Sequence, residues 1–325
     1  MTFVSIVVPA FNAAETIGKT IESLLVQTYS RFDITVVDDG STDNTHEIVA
    51  NYEFDERIRV IRQPNRGLAG ARNTGIASAL GDLIAFCDAD DVWSPNKLDA
   101  HVRHLEERPT VGISYSGSSM FTDSGVRMHR AQRPRLRNVR PEHILKRNPV
   151  GNGSAAVVRR QVFDGIAYRP SHETVRDWYF DETFRQSEDI ECWLRIALTT
   201  DWQFEGVKGL LSHYRINSSG LSAATERQLA SWDRMVEKLR PLDPEFFAKH
   251  ENLARAYQFR YLCRRAINSF DIHTARSWAD AWLETSKLTF LEEPRKSIET
   301  YLAVLALQFI GSSTLRGLSA VWSGR

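Results

Sequence analysis

Four short apolar runs separated by stretches of helical spacing occupy the first ninety residues and restrict what this chain can fold into. The runs are Phe3–Val8, Ile34–Val37, the segment holding Ile58, Val60 and Ile61, and Leu83–Cys87. Each is too short for a core helix and reads as a buried strand. Between them, Ile17, Ile21, Leu24 and Leu25 share one helical face, Ile48 and Val49 mark a second helix, and an alanine-rich helix spans 69–80. Strands alternating with helices predict a mainly parallel sheet flanked by helices, with ligands held at the carboxyl ends of the strands.

Acidic residues stand where those ligands would be. Asp38-Asp39 ends the second run and Asp88-Ala89-Asp90-Asp91 ends the fourth, while Glu188-Asp189 opens a later helical stretch carrying Ile190, Trp193, Leu194 and Ala197. A cap or a solvated turn explains any one of these pairs. All three in one crevice call for a compensating cation, and hard carboxylate oxygens suit Mg²⁺ or Mn²⁺. Two phosphate-binding motifs are excluded. Gly18-Lys19-Thr20 lacks the glycine a P-loop needs at position 13, where the chain has Ala13, and Gly67, Gly70 and Gly75 do not have the dinucleotide-binding spacing.

Beyond the tetrad, Pro95 opens a helix with Leu98, Val102 and Leu105 on its face. Val111–Tyr115, Ser154–Val158 and Leu210–Ile216 are strand candidates. The segment Arg127–Arg140 has six arginines, no acid and no periodicity, and is expected to be a loop. From about Thr225 the pattern is helical throughout. The expected division is therefore 1–222 for an α/β domain and 223–325 for a helical C-terminal appendage.

With 41 Lys+Arg against 41 Asp+Glu, the chain is not built for nonspecific nucleic-acid binding, and no nucleic-acid partner is expected. Cys87, Cys192 and Cys263 have no zinc-type spacing and read as reduced, buried residues. The first residues lack a signal-peptide pattern, and the longest apolar approach, Tyr301–Ile310, falls short of the roughly 20 residues that cross a bilayer. A cytoplasmic location is expected.

Read in order, Val4-Ser5-Ile6-Val7-Val8-Pro9-Ala10-Phe11-Asn12, Val36-Val37-Asp38-Asp39-Gly40-Ser41-Thr42-Asp43, Asn65-Arg66-Gly67-Leu68-Ala69-Gly70-Ala71-Arg72-Asn73 and Asp88-Ala89-Asp90-Asp91 resemble the blocks of a family 2 glycosyltransferase. Phe180-Asp181-Glu182, Ser187-Glu188-Asp189, Trp193-Leu194-Arg195 and Tyr214-Arg215-Ile216-Asn217 extend the resemblance to about residue 222. It implies a GT-A fold and an inverting, metal-dependent transfer of sugar from a nucleotide-diphosphate donor, with a UDP-sugar favoured. The acceptor would be a glycan or lipid-linked hydroxyl, in cell-surface polysaccharide synthesis.

Residue by residue, the resemblance makes Pro9, Ala10, Phe11 and Glu15 the start of the nucleotide pocket, with Phe11 beside the base. Asp39 would accept a hydrogen bond from uracil, and Arg72 would face the phosphates. Asp88 and Ala89 would lie at the ribose and Asp90 on the Mn²⁺ or Mg²⁺ ion, with Asp88 as a second candidate ligand; Asp91 would cap the following turn. Asp189 would be the catalytic base, with Glu188 orienting either Asp189 or the acceptor. Many relatives carry a histidine where this chain has Asn217, a weak metal ligand. His213 is not promoted to that role. Tyr168, Trp178, Tyr179 and Phe180 would either face a sugar or belong to the core. The arginine segment would meet a lipid-linked diphosphate or an anionic surface, or be a solvated loop. The helical appendage is left with homodimerisation or peripheral contact at the inner face of the membrane as roles. A sugar-phosphate nucleotidyltransferase and a noncatalytic nucleotide-sugar binding module remain as alternatives.

Overall fold

A computed structural model describes residues 2–122, 125–216 and 225–310. Contacts divide the chain into two compact units. The first comprises Met1–Ile144 and Asn148–Met235, the second Leu145–Arg147 and Val236–Arg325. The boundary expected at 222/223 lies outside the described residues.

In chain order, the first unit contains β1 (Val4–Ala10), α1 (Ile17–Leu25), β2 (Phe32–Asp38), α2 (Thr45–Ala50), β3 (Ile58–Arg62), α3 (Gly67–Ser78), β4 (Leu83–Phe86), β5 (Val92–Trp93) and α4 (Lys97–Glu107). It continues with β6 (Val111–Thr122), β7 (Arg127–Gln132), α5 (Pro141–Lys146), a short 3-10 turn at Gly153–Ala155, β8 (Ala156–Arg159), α6 (Arg160–Ile166), α7 (Glu188–Thr199), β9 (Gln203–Ile216) and α8 (Thr225–Leu239). The C-terminal end of α5 and of α8 belongs to the second unit.

The strands form one mixed sheet in the order β3-β2-β1-β4-β8-β6-β9-β5, with β7 paired to β6. From β3 to β4 all pairings are parallel, as the strand–helix alternation requires. Every residue of β1 and β4 is buried, because helices cover both faces of a parallel sheet. The second half adds antiparallel pairs of β8 with β4 and β6, and of β5 with β9. Register sets the height of the strand ends: Ala10 lies opposite Asp38, and Val7 opposite Phe86. The segments carrying Phe11, Asp39 and Asp88 therefore leave the sheet at one edge.

The arginine-rich segment departs from expectation at its start. Arg127–Gln132 is a strand, paired antiparallel to β6 through Ser118↔Gln132 and Ser119↔Ala131. An edge strand tolerates charged side chains that a buried one would not, so the sequence there lacks the apolar alternation that signals a strand.

Residues 168–182 are anchored to α3 by Asn73. Its amide donates to the Phe180 carbonyl at 2.8 Å and to Glu182 at 2.9 Å, and its oxygen accepts from the N–H groups of Tyr179 and Phe180 at 3.0 and 2.8 Å. Asn73→Ala would strand several buried polar groups at once. We expect a loss of about 3 kcal/mol in unfolding free energy by urea titration; a loss below about 1 kcal/mol would show that this anchor is dispensable.

The second unit is helical: α9 (Pro244–Asn268), α10 (Ile272–Thr285), α11 (Thr289–Glu292) and α12 (Pro294–Ile310). Cys263, Ala279 and Val304 form one small core cluster, and Ala266, Ala275 and Leu307 another. Arg260, buried, is paired with Glu293 and donates to the Ser297 hydroxyl at 2.6 Å. Lys146 joins this unit through a 2.8 Å ion pair with Glu292. Among the described residues no helix is long and apolar enough to cross a membrane.

Candidate active site

At the end of β1, Pro9 and Ala10 are buried while Phe11 is 51% exposed, so one aromatic face stands clear of the core beside the strand ends. The backbone turns outward through Asn12 at φ 48°, a left-handed conformation that asparagine tolerates better than most residues. Asn12 N–H donates to Ser41 Oγ at 3.1 Å, its side-chain oxygen accepts from Thr42 N–H at 2.8 Å, and Ala14 N–H donates to Asp43 at 3.1 Å. These bonds tie the loop after β1 to the loop after β2. Glu15 is exposed on it.

Asp39 is 2% exposed. One carboxylate oxygen accepts from Gln63 Nε2 at 2.6 Å and Arg66 N–H at 2.9 Å, the other from Gly67 N–H at 2.8 Å. Burial pushes its pKa up, and these donors oppose the shift. A carboxylate offers about four acceptor positions, so roughly one remains for a ligand.

The tetrad divides by environment. Asp91 is 0% exposed, accepting from the Ser154 hydroxyl at 2.5 Å and from Arg215 N–H of β9 at 3.0 Å. Burial, with Asp88 and Asp90 nearby, raises its pKa well above the carboxylate range. It braces β9 against the 3-10 turn and has no outward face. The Ala89 carbonyl accepts from the Thr16 and Thr20 hydroxyls at 2.9 and 3.0 Å, fastening the turn to α1. Asp88 and Asp90 are half-buried. The Asp88 N–H donates to Ser154 Oγ at 2.9 Å, and its Oδ1 accepts from Arg72 at 2.9 Å. Its Oδ2 faces Gly153, where a Cβ would come within 2.6 Å, so glycine keeps that oxygen accessible. Among the described residues no three His, Cys, Asp or Glu side chains converge as a metal cage. Asp90 and Asp88 Oδ2 instead suit a cation such as Mg²⁺ or Mn²⁺, which takes one or two carboxylates and completes its shell with phosphate oxygens and water.

Arg72, 2% exposed on α3, joins this pole to the next. Its guanidinium donates to Asp88 and, at 2.9 Å, to buried Glu188 at the start of α7, and it lies over the Phe86 and Phe180 rings at 5.9 and 5.6 Å. Both outer nitrogens are therefore engaged by carboxylates of the protein itself. Ser187, at φ 63°, precedes α7 in the left-handed region and sets the direction in which Glu188 and Asp189 leave the turn.

Asp189 is half-buried in the first turn of α7. One oxygen accepts from Ile190 N–H at 2.8 Å and the other from Asn148 Nδ2 at 2.8 Å. Burial and the adjacent Glu188 push its pKa up to about 7, against the lowering influence of Arg72. A carboxylate so tuned exchanges a proton near neutral pH.

Trp178, Tyr179 and Phe180 are buried, with Phe180 edge-on to Phe86 and Trp193, and so belong to the core. His213 is held by Ser119 Oγ at 2.6 Å and Ser94 Oγ at 3.1 Å. Asn217 lies outside the described residues. Sequence reasoning missed Asn148, Gly153 and Ser154, which support both poles. Their segment reads as an ordinary turn, and no local pattern singles out its side chains.

Residues 5–166 match the model of glycosyl transferase family 2. The chain is 30% identical over 232 residues, 71% of its length, to 84% of an Escherichia coli protein, the UDP-Glc:alpha-D-GlcNAc-diphosphoundecaprenol beta-1,3-glucosyltransferase WfgD. Two further relatives, described as uncharacterized glycosyltransferases, match at 39% and 41% identity, and the chain spans only 35% and 20% of their lengths. Among solved structures it resembles S. aureus TarS 1-349 in complex with UDP-GlcNAc, with a TM-score of 0.61 at 18% identity over 96% of this chain and 93% of that one. It also resembles the mannosyltransferase PcManGT from Pyrobaculum calidifontis in complex with GDP-Man and Mn²⁺, with a TM-score of 0.58 at 19% identity over 100% of this chain and 88% of that one. The structural likeness is one of fold, and the fold is of the GT-A type. With an α/β sheet whose strand ends carry the acidic blocks in family order, the chain belongs to the family 2 glycosyltransferases.

Proposed function

We propose that this enzyme transfers a sugar, with inversion, from a UDP-sugar to the hydroxyl of a lipid-linked acceptor, with Asp189 as the general base. The observation that carries this reading is the Asp88–Arg72–Glu188 chain of ion pairs. It ties Asp88, suited to a diphosphate-bound cation, to Glu188, the neighbour in sequence of Asp189, whose pKa is pushed up to about 7. UDP-glucose is the donor class favoured by the WfgD relative, and its diphosphoundecaprenol acceptor supports the lipid-linked choice.

In this reading Phe11 stacks on uracil, and Pro9, Ala10 and Glu15 border the nucleotide. The remaining acceptor position of Asp39 takes the uracil ring N–H. Asp88, beside Ala89, faces the ribose and shares with Asp90 the holding of Mn²⁺ or Mg²⁺; the ion supplies positive charge to the departing diphosphate. Asp189 removes the proton of the attacking hydroxyl, so oxygen becomes nucleophilic as the anomeric bond to UDP breaks. Arg72 and Glu188 hold the two carboxylate poles in place. Catalysis is assigned to residues 1–222. The region 223–325 is assigned to docking at the inner face of the membrane, where a lipid-linked acceptor resides, or to homodimerisation. The exposed Arg127, Arg130 and Arg133 suit an anionic diphosphate.

Thermal-shift measurement tests the donor and metal assignments. UDP-glucose with Mn²⁺ is expected to raise the melting temperature more than either alone, by the equivalent of about 2.7 kcal/mol at a hundredfold excess over Kd. Asp90→Asn should remove the Mn²⁺-dependent increment and leave the UDP increment. Stabilisation by GDP-mannose but by no UDP-sugar would refute the uridine assignment. Pyrophosphate release from UTP and a sugar phosphate would make the protein a nucleotidyltransferase.

A further inference from the structure

Asn148 lies in the turn after α5, 41 residues before Asp189, and its amide is locked in orientation. The side-chain oxygen accepts from Val150 N–H at 3.0 Å, so the NH₂ group must point the other way. One N–H donates to the Gly151 carbonyl at 2.9 Å and the second contact is with Asp189 Oδ2 at 2.8 Å. Gly151, at φ 98°, gives the turn a shape that L side chains rarely adopt. The other Asp189 oxygen is occupied by Ile190 N–H. Rotation of the carboxylate about its own axis is therefore stopped at both ends, by the helix start on one side and by Asn148 on the other.

We infer that Asn148 is a positioning residue for the base, fixing the plane of the Asp189 carboxylate and favouring its ionised form by donating a hydrogen bond from a rigid turn. The inference rests on the reading of Asp189 as base. The charged groups facing Asp189 are Glu188 on its own helix, Arg72 on α3 and Asp88 at the end of β4. Beside the Ile190 N–H, Asn148 is the neutral side-chain donor to this carboxylate. A neutral donor stabilises the anion without forming the tight ion pair that would deprive a base of its proton affinity.

Carboxyl carbon NMR on the full chain labelled with ¹³C-aspartate tests this without a substrate. The Asp189 resonance is identified by its loss in Asp189→Asn, and its titration midpoint is read in wild type, Asn148→Ala and Asn148→Asp. Removing the donor should raise the midpoint by about one to two pH units, the scale of one hydrogen bond to a charged group. The near-isosteric Asn148→Asp, which adds a like charge and keeps the side chain's shape, should raise it further and remains informative if the alanine variant does not fold. Kd for UDP should stay within about twofold. A midpoint unmoved in the folded variants overturns the inference, as does a UDP affinity that falls in step with activity. UDP release from UDP-glucose with Mn²⁺ separates the two levels. If Asp189→Asn still turns over, the base assignment falls and takes Asn148's role with it. If that variant is inactive while the midpoint ignores residue 148, only the positioning role is lost.

Discussion

Asp189→Asn should reduce sugar transfer by about 10²–10⁴-fold, the usual contribution of a positioned general base, while UDP affinity stays within about twofold. The substitution is nearly isosteric: an amide oxygen can still accept from Asn148, and neutralising residue 189 relieves its repulsion with Glu188. The variant should therefore fold. Only the ionised carboxylate accepts a proton, so wild-type kcat/KM should climb as pH rises through about 7 and level off above it. The residual rate of the variant should lack that limb. A convenient assay follows UDP release from UDP-glucose with a GlcNAc-diphospholipid acceptor and Mn²⁺. Wild-type turnover, or a pH limb retained in the variant, would remove Asp189 from the chemistry.

Arg72→Met is expected to have the largest structural effect. It replaces a buried guanidinium that holds two carboxylates with a shorter, unbranched side chain that carries no charge. Leaving a buried charge without its partner costs about 3–5 kcal/mol, and here Glu188 is buried while Asp88 is half-buried. At about 2–4 °C per kcal/mol, the melting temperature should fall by roughly 6–20 °C. Transfer should fall at least about 100-fold, because Asp88 and Glu188 lose their fixed relation. Arg72→Lys should recover only part of both losses, since one ammonium cannot present two separate N–H edges to two carboxylates. Arg72→Met/Glu188→Gln should be more stable than Arg72→Met alone, because the second change removes the orphaned buried charge. A melting temperature within about 2 °C of wild type for Arg72→Met would show that the two carboxylates do not depend on it.

Much of the first unit was legible in the sequence because its strands are buried on both faces. Such strands must be apolar without interruption, and Val4–Val8 and Leu83–Phe86 announce themselves for that reason. β7 was not legible. Among the described residues Arg127–Gln132 pairs on one side, with β6, and an edge strand can carry arginines. Within the tetrad, spacing does not separate the acids: Asp88, Asp90 and Asp91 look alike until Ser154 and Arg215 arrive from elsewhere in the chain to enclose Asp91.

The sequence by itself determined the order of strands and helices in the first ninety residues, the edge at which the acids emerge, and a family resemblance over the blocks that carry Phe11, Asp39, Asp88 and Asp90. Those features follow from local periodicity and from blocks contiguous in the chain. Only the tertiary structure decided that Arg72 is clamped between Asp88 and Glu188, that Asp91 is internal, and that Asn148 holds Asp189. Each depends on residues between 16 and 124 positions apart meeting within hydrogen-bond distance. Whether a carboxylate is paired, exposed or tuned depends on what it meets in space, and nothing in its immediate sequence records that.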